Sequence, residues 1–194
     1  MPDIFISKEV IAVVASLLAI VGNVPYMRDV VRGRVKPHPY TWFVWTIVSA
    51  VVFFGQLAKG AGIGALPTLA SEIFTLFIFV LSLKYGFKNI RRIDTVFLGI
   101  ALLGLIPWAL TKDPTISVII VVSIDVVGFI PTLRKTWREP ESEVPLLFGT
   151  NVIRHILMLF SLQAYNVATM LHSVAMIAIN SLMTLFIIFR KPSK

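Results

Sequence analysis

Val-Gly-Asn-Val-Pro-Tyr-Met-Arg at residues 21–28 returns 106 positions later as Val-Gly-Phe-Ile-Pro-Thr-Leu-Arg at residues 127–134. The valine, glycine, proline and arginine are identical in the two copies, and the fourth and seventh positions stay apolar. At the same offset, Pro39 downstream of the first copy matches Pro145 downstream of the second. Apolar runs can match by chance, but glycine, proline and arginine at one spacing are harder to obtain that way. The sequence therefore predicts an internal duplication.

Both copies lie in apolar segments long enough to cross a bilayer as helices, which takes about 20 residues. Apolar residues make up 57% of the chain and charged residues 14%, whereas soluble domains have about 45–50% and about 25%. Seven such segments occur, at 10–27, 41–58, 66–83, 93–110, 115–133, 146–164 and 167–189. None alternates apolar and polar residues as a membrane strand would. The predicted fold class is an all-α membrane protein with seven transmembrane helices.

The net charge of +8 is distributed unevenly between the connections. Cations follow the first, third, fifth and seventh segments: Arg28, Arg32, Arg34, Lys36, Lys84, Lys88, Arg91, Arg92, Arg134, Lys135, Arg138, Arg190, Lys191 and Lys194. Only Lys8, Lys59 and Lys112 belong to the opposite side. Cytoplasmic loops are enriched in Lys and Arg, so we expect a multi-pass protein of the cell (plasma) membrane, with its N-terminus outside and its C-terminus cytoplasmic. Cations separated by long apolar runs do not form a nucleic-acid groove.

The duplication covers three segments in each copy and leaves the fourth segment unpaired. Three crossings reverse the direction of the chain, so a further crossing is needed for the second triplet to enter the membrane in the same sense as the first. The predicted layout is 3+1+3: a first triple-helix bundle at 1–90, a linker helix at 91–112 and a second, parallel bundle at 113–194.

At these residues the chain resembles the PQ-loop superfamily and, within it, the seven-span SWEET (MtN3-saliva) sugar carriers, including their short prokaryotic members. Pro25 and Pro131 stand where that family has its Pro-Gln motif, with Tyr26 and Thr132 in place of the glutamine. The chain also resembles vitamin carriers of related architecture. The resemblance implies two triple-helix bundles that rock about proline hinges around a central solute site. Proline inside a helix removes one backbone hydrogen bond and favours a kink, so we expect Pro25 and Pro131 to be hinges, with simple helix termination as the alternative.

Away from the span ends, three charged residues lie inside the predicted spans: Glu72, Asp125 and Arg154. At a rise of about 1.5 Å per residue, Asp125 and Arg154 lie about 13 and about 12 Å from the cytoplasmic ends of their helices. Such charges need a partner in hydrocarbon, so these two are expected to form a structural ion pair. Alternatively Asp125 is a titrating proton site, as in similar PQ-loop amino-acid exporters, which have an Asp in the fifth span.

Glu72 has no cation at its depth in its own bundle, so it is either protonated or faces a wet cavity where it binds a solute. Asn180 occupies the corresponding part of the seventh segment. The resemblance to SWEETs supports a site here, because those carriers bind sugar hydroxyls with two asparagines on the third and seventh spans. Asn180 fits that pattern, and Glu72 departs from it.

Trp45 and Ser49 lie one turn apart on the second segment, and the repeat offset places Asn151 and His155 at the corresponding positions of the sixth. A flat aromatic face suits a ring, while amide, hydroxyl and imidazole groups bind hydroxyls. The alternative for these side chains is ordinary packing. The predicted substrate-binding set is Trp45, Ser49, Glu72, Asn151, His155 and Asn180.

These features predict a carrier that moves a small polar solute by alternating access, as a uniporter or linked to protons. The alternatives are a non-transporting receptor and an interaction protein of the same fold. No catalytic residues, metal or cofactor are expected, because the histidines are scattered, cysteine is absent and no phosphate-binding loop is present. We therefore do not expect an enzyme. The expected partners are the solute and the bilayer, and the sequence leaves a homo-oligomer open.

Overall fold

Prolines and side-chain caps mark the beginnings of most helices. The computed structural model describes residues 7–190, apart from the side chains of residues 107 and 108. Lys191 and Lys194, counted above with the cytoplasmic cations, lie outside the described residues. The helices are α1 (Lys8–Val31), α2 (Pro39–Ala58), α3 (Leu66–Tyr85), α4 (Arg92–Leu110), α5 (Pro114–Arg138), α6 (Pro145–Ser161) and α7 (Val167–Arg190), with short 3₁₀ turns at Gly62–Ala65 and Pro140–Ser142.

The fold is all-helical over residues 7–190, which contain no strand. Five segments are long and apolar enough to cross a membrane: α1, α2, α3 with its preceding turn, α5 and α7. α6 is a shorter apolar helix of 17 residues. These features confirm the predicted all-helical fold and are consistent with a membrane protein. The full set of seven spans stays a prediction.

The distribution of side chains is the reverse of that in a soluble protein. Large apolar side chains such as Phe54 and Leu103 are about two-thirds exposed, while the polar side chains of Gln56, Asp125 and His155 are buried. A soluble monomer rarely exposes contiguous apolar surface on this scale. A hydrocarbon environment accounts for both halves of the pattern, because it solvates the apolar exterior and leaves polar groups to pair inside.

Helix contacts follow the sequence repeat. α3 packs against both α1 and α2, and α7 packs against both α5 and α6. Between the two sets, α1 packs on α6 and α2 packs on α5, while α4 packs mainly on α5. The repeat offset converts α1, α2 and α3 into α5, α6 and α7, and each of these contacts outside α4 then has a counterpart.

The two glycines of the repeated octapeptide lie at equivalent close approaches between helices. A Cβ on Gly22 of α1 would come within 2.3 Å of Thr150 Oγ1 on α6, and a Cβ on Gly128 of α5 would come within 2.7 Å of Val44 Cγ1 on α2. Val44 and Thr150 are themselves separated by the repeat offset. The duplicated glycines therefore allow the same close helix crossing twice.

Neither repeated proline ends its helix. Pro25 lies inside α1, which continues to Val31, and Pro131 lies inside α5, which continues to Arg138. Each proline lacks the N–H that would bond the carbonyl one turn earlier, so each helix contains one weakened turn. The geometry fits a hinge, and hinge motion itself stays a prediction.

Candidate functional site

A small polar cavity lies between the helices, with walls from α1, α2, α3, α5, α6 and α7. Its volume is about 50 Å³. Ligand sites for drug-sized molecules usually measure about 300–1,000 Å³, so the cavity in this conformation has room for a few water molecules only. In this conformation the cavity is therefore too small for a sugar-sized solute.

Five of the six predicted binding residues line this cavity: Trp45, Ser49, Asn151, His155 and Asn180. The sixth, Glu72, does not. It lines a separate, open groove between α2, α3 and the connection before α5. The repeat relationship thus brings the α2 and α6 residues together, whereas Glu72 and Asn180 do not face one another across one site.

Sequence reasoning missed several side chains of the cavity wall, including Asn23, Thr75 and His172. Asn23 occupies the third position of the repeated octapeptide, where the second copy has Phe129, and both of these side chains line the cavity. The repeat could have identified that pair. No sequence signal identifies His172, which lies five residues after the start of α7 yet is only 5% exposed.

Asp125 pairs with His172, not with the predicted partner Arg154. His172 Nε2 lies 3.5 Å from Asp125 Oδ2, and among the described residues no salt bridge joins Asp125 to Arg154. The reason is the order of the helices: α7 packs against both α5 and α6 and therefore lies between them. Matching depth on α5 and α6 is not sufficient for a contact across α7.

Arg154 instead organises the polar groups of α6. Its guanidinium donates to Asn151 Oδ1 at 3.2 Å, to the Pro67 carbonyl at 3.1 Å and to His155 Nε2 at 2.8 Å. A guanidinium has no acceptor, so His155 Nε2 must accept and the ring hydrogen must be on Nδ1. Nδ1 lies 3.4 Å from Ser173 Oγ and can donate to it. His155 is therefore neutral in this arrangement.

The two predicted amides belong to the same network. Asn151 Nδ2 donates to Asn180 Oδ1 at 3.5 Å, and Asn180 Nδ2 donates to the Met176 carbonyl at 2.8 Å. By contrast, Asp125 Oδ1 and His172 Nδ1 are buried and have no hydrogen-bond partner. A proton or a solute could bind these two atoms without breaking an existing hydrogen bond.

An aromatic layer closes one end of the cavity. Trp42 packs edge-to-face on Trp45 with 5.0 Å between ring centroids, and Trp45 stacks on Phe129 at 5.8 Å. Tyr26 lies 5.6 Å from Trp42. The layer joins α1, α2 and α5, so it bridges the two repeats.

A buried ionic cluster lies beyond the aromatic layer. The Tyr26 hydroxyl donates to Glu143 Oε2 at 2.9 Å, and Lys135 Nζ donates to Glu143 Oε1 and to the Lys36 carbonyl. Lys135 and Glu143 are both fully buried. Tyr26, the residue after Pro25, thus ties α1 to the connection before α6.

A second ion pair accompanies this cluster. Arg134, adjacent to Lys135 on α5, donates twice to the carboxylate of Asp94 at the start of α4. His38, in the connection between α1 and α2, lies 3.6 Å from the same carboxylate. Burial lowers the pKa of the His38 imidazole to about 4, with Lys135 and Arg134 acting in the same direction and Asp94 opposing them.

Hydrogen bonds also close the opposite end. Thr68 donates to Gln56 Oε1 at 2.9 Å, which joins α3 to α2, and Arg154 reaches the Pro67 carbonyl. Lys8 Nζ donates to the Leu162 carbonyl at 2.6 Å, which joins α1 to the end of α6. These hydrogen bonds join the helices on the side of the cavity opposite the aromatic layer.

The titratable side chains of the cavity include two neighbouring imidazoles. The His155 and His172 rings are 5.5 Å apart, but residues 7–190 hold no group of three or more His, Cys, Asp or Glu side chains arranged for a metal ion.

Comparison of the chain with protein-family models, with curated proteins and with solved structures gave no match.

Proposed function

We propose that this protein is a SWEET-like secondary carrier that moves a small polar solute across the cell membrane by alternating access. The observation that carries the proposal is the small cavity in which a carboxylate, a guanidinium, two imidazoles and several amides meet between apolar helices. Ionisable groups at such depth are costly in hydrocarbon and typically mark a solute or ion pathway.

The 3+1+3 layout is part of the proposal. Support comes from the equivalent contacts of the two helix triplets and from the duplicated glycine crossings at Gly22 and Gly128. Parallel repeats of this kind place the solute site between the halves, near the middle of the membrane. The cation bias of the loops supports an external N-terminus and a cytoplasmic C-terminus.

Transport requires the two halves to separate, because the closed cavity of about 50 Å³ is too small for a sugar-sized molecule. Pro25 and Pro131 supply one weakened turn in each half. The aromatic layer and the ionic cluster around Glu143 would form one gate, and the hydrogen bonds around Gln56 and Thr68 would form the other.

The solute would bind to Trp45, Asn151 and Asn180 by ring contact and amide hydrogen bonds. The pair of Asp125 and His172, with one free atom on each side chain, is the group that would link transport to protons. Proton coupling predicts that flux responds to a pH gradient. Flux that is independent of pH between about 5 and 8, the range in which histidine titrates, would argue for a uniporter.

Uptake into proteoliposomes tests the proposal. Purified protein would be assayed with sugars, nucleosides, amino acids and vitamins, with and without a pH gradient. We expect uptake of at least one class, and loss of that uptake in Asn180→Ala. Ser123→Ala is the matched control, because Ser123 is an exposed polar residue of α5 that does not line the cavity. Absence of uptake for every class, or equal uptake by Asn180→Ala, would contradict the proposal.

Access from both sides separates a carrier from a receptor. The chain has no cysteine, so Ser49→Cys introduces a single thiol in the cavity wall. In oriented proteoliposomes, a carrier should allow a membrane-impermeant maleimide to label this thiol from either side. Labelling from one side only, under all solute conditions, would favour the receptor.

A further inference from the structure

An open groove runs along the outer face of α2, separate from the central cavity. Its volume is about 620 Å³, within the usual range for a ligand site of about 300–1,000 Å³. Apolar residues of α2, among them Ile47, Val51 and Phe54, form most of its floor. From Thr46 to Ala58 the groove follows about 18 Å of helix, given a rise of about 1.5 Å per residue.

Glu72 is the one acidic side chain of the groove wall. Its Oε2 atom is buried and has no hydrogen-bond partner, and no salt bridge to Glu72 occurs in the described part of the chain. The polar side chain beside it is Ser49, which lines the central cavity on the other side. Glu72 thus lies beside Ser49, between the cavity and the groove, and apolar residues form most of the groove around it.

A buried carboxylate oxygen without a partner is unfavourable, and a bound cation would satisfy it. Because the α2 floor is apolar, the groove suits a cation with an apolar body better than a small hydrated ion. The groove wall also contains a cation, Lys112, but this side chain is exposed at the outer end, so water and salt screen its charge. Glu72, by contrast, lies six residues after the start of α3, about 9 Å along the helix.

We propose that this groove is a binding site for an amphipathic organic monocation, whose charged centre pairs with Glu72 and whose apolar groups pack against Ile47, Val51 and Phe54. The site is distinct from the central cavity, so the proposal does not depend on transport. It also assigns a role to the acidic residue that the central site leaves unused.

Binding of tetraphenylphosphonium to the full-length protein tests the proposal. The protein would be reconstituted in nanodiscs of phosphatidylcholine, which carry no net charge, and binding would be measured by equilibrium dialysis against empty nanodiscs. We expect saturable binding to the wild type and at least about tenfold weaker binding to Glu72→Gln. Glu141→Gln is the matched control, because Glu141 is an exposed acid remote from this groove, and it should bind like the wild type.

Two further measurements separate charge recognition from shape and from misfolding. Ala50→Phe places a ring in the groove without changing any charge and should also abolish binding. Triphenylphosphine oxide, a neutral molecule of similar shape, should bind the wild type at least about tenfold more weakly than the cation. Equal binding by Glu72→Gln, or equal affinity for the neutral probe, would overturn the proposal. Asn180→Ala should retain binding, whatever its uptake.

Discussion

Asp125 Oδ2 lies 3.5 Å from His172 Nε2, and both side chains are buried between α5 and α7. The pair replaces the contact between Asp125 and Arg154 that equal depth predicts. It also leaves Asp125 Oδ1 and His172 Nδ1 free on the wall of the cavity. The closed structure therefore keeps an acid and an imidazole together and available, while Arg154 is occupied by neighbouring acceptors.

Stability should depend on this pair in a non-additive way. His172→Ala leaves the Asp125 carboxylate buried without its partner, and loss of one member of a buried pair typically costs about 3–5 kcal/mol. In the double variant Asp125→Asn with His172→Ala, a neutral amide replaces the Asp125 carboxylate, so no unpaired charge remains at this position. We expect it to be more stable than His172→Ala alone when thermal unfolding is measured in detergent. A double variant whose loss equals the sum of the single losses would show that the two side chains do not interact.

The close crossing at Gly128 should tolerate no side chain. A Cβ there would come within 2.7 Å of Val44 Cγ1, and overpacking of this kind typically costs about 1–3 kcal/mol. Gly99 is the matched control, because a Cβ there meets nothing within 4 Å. Gly99→Ala should be neutral or up to about 1 kcal/mol stabilising, since alanine favours helix over glycine. A Gly128→Ala variant that unfolds at the same temperature as Gly99→Ala would contradict the tight crossing.

The buried cluster around Glu143 should be sensitive to loss of its charge. Glu143→Gln leaves the Lys135 ammonium buried without a carboxylate, and we expect a loss of about 3–5 kcal/mol in the free energy of unfolding. Tyr26→Phe removes one hydrogen bond to the Glu143 carboxylate and should cost less, about 1.5–3 kcal/mol. Denaturation of the purified protein measures both. Glu141→Gln, at an exposed position nearby, should leave stability unchanged. Glu143→Gln with wild-type stability would refute the cluster's role.

His38 should make the protein less stable at mildly acidic pH. Its pKa is about 4 in the folded state and 6.5 ordinarily, because burial disfavours the imidazolium. Between these values the unfolded chain binds a proton that the folded chain does not, so unfolding becomes easier as pH falls. The contribution of His38 to the free energy of unfolding is about 3 kcal/mol in total. It is fully present above about pH 6.5 and is lost by about pH 4.

His38→Phe isolates this contribution from the titration of other groups, including neighbouring Asp94. Neither ring nitrogen of His38 has a hydrogen-bond partner, and its ring packs near Tyr40 and Phe87, so phenylalanine keeps the shape and loses no hydrogen bond. Melting temperatures at pH 7 and pH 5 should differ less in His38→Phe than in the wild type. An identical pH dependence would exclude His38 as its source.

The sequence predicted part of the candidate site because a duplication preserves spatial relationships. Residues separated by the repeat offset, such as Trp45 and Asn151 or Ser49 and His155, line one cavity together. Position along a helix was less informative. Equal depth in the membrane associated Asp125 with Arg154 and Glu72 with Asn180. In the structure, neither pair is in contact. Depth describes one coordinate, whereas contact also requires the helices to be neighbours and the side chains to face each other.

Sequence alone determined the helical membrane class, because long apolar segments with few charges have one favourable way to satisfy their backbone in hydrocarbon. It also predicted the duplication, from glycine, proline and arginine that match at an offset of 106 residues. Only the tertiary structure decided the helix neighbours, and with them the partners of each buried charge. The pairing of Asp125 with His172 arises from packing in which α7 contacts both α5 and α6, and Glu72 lies in a separate groove beside α2, on which α3 packs.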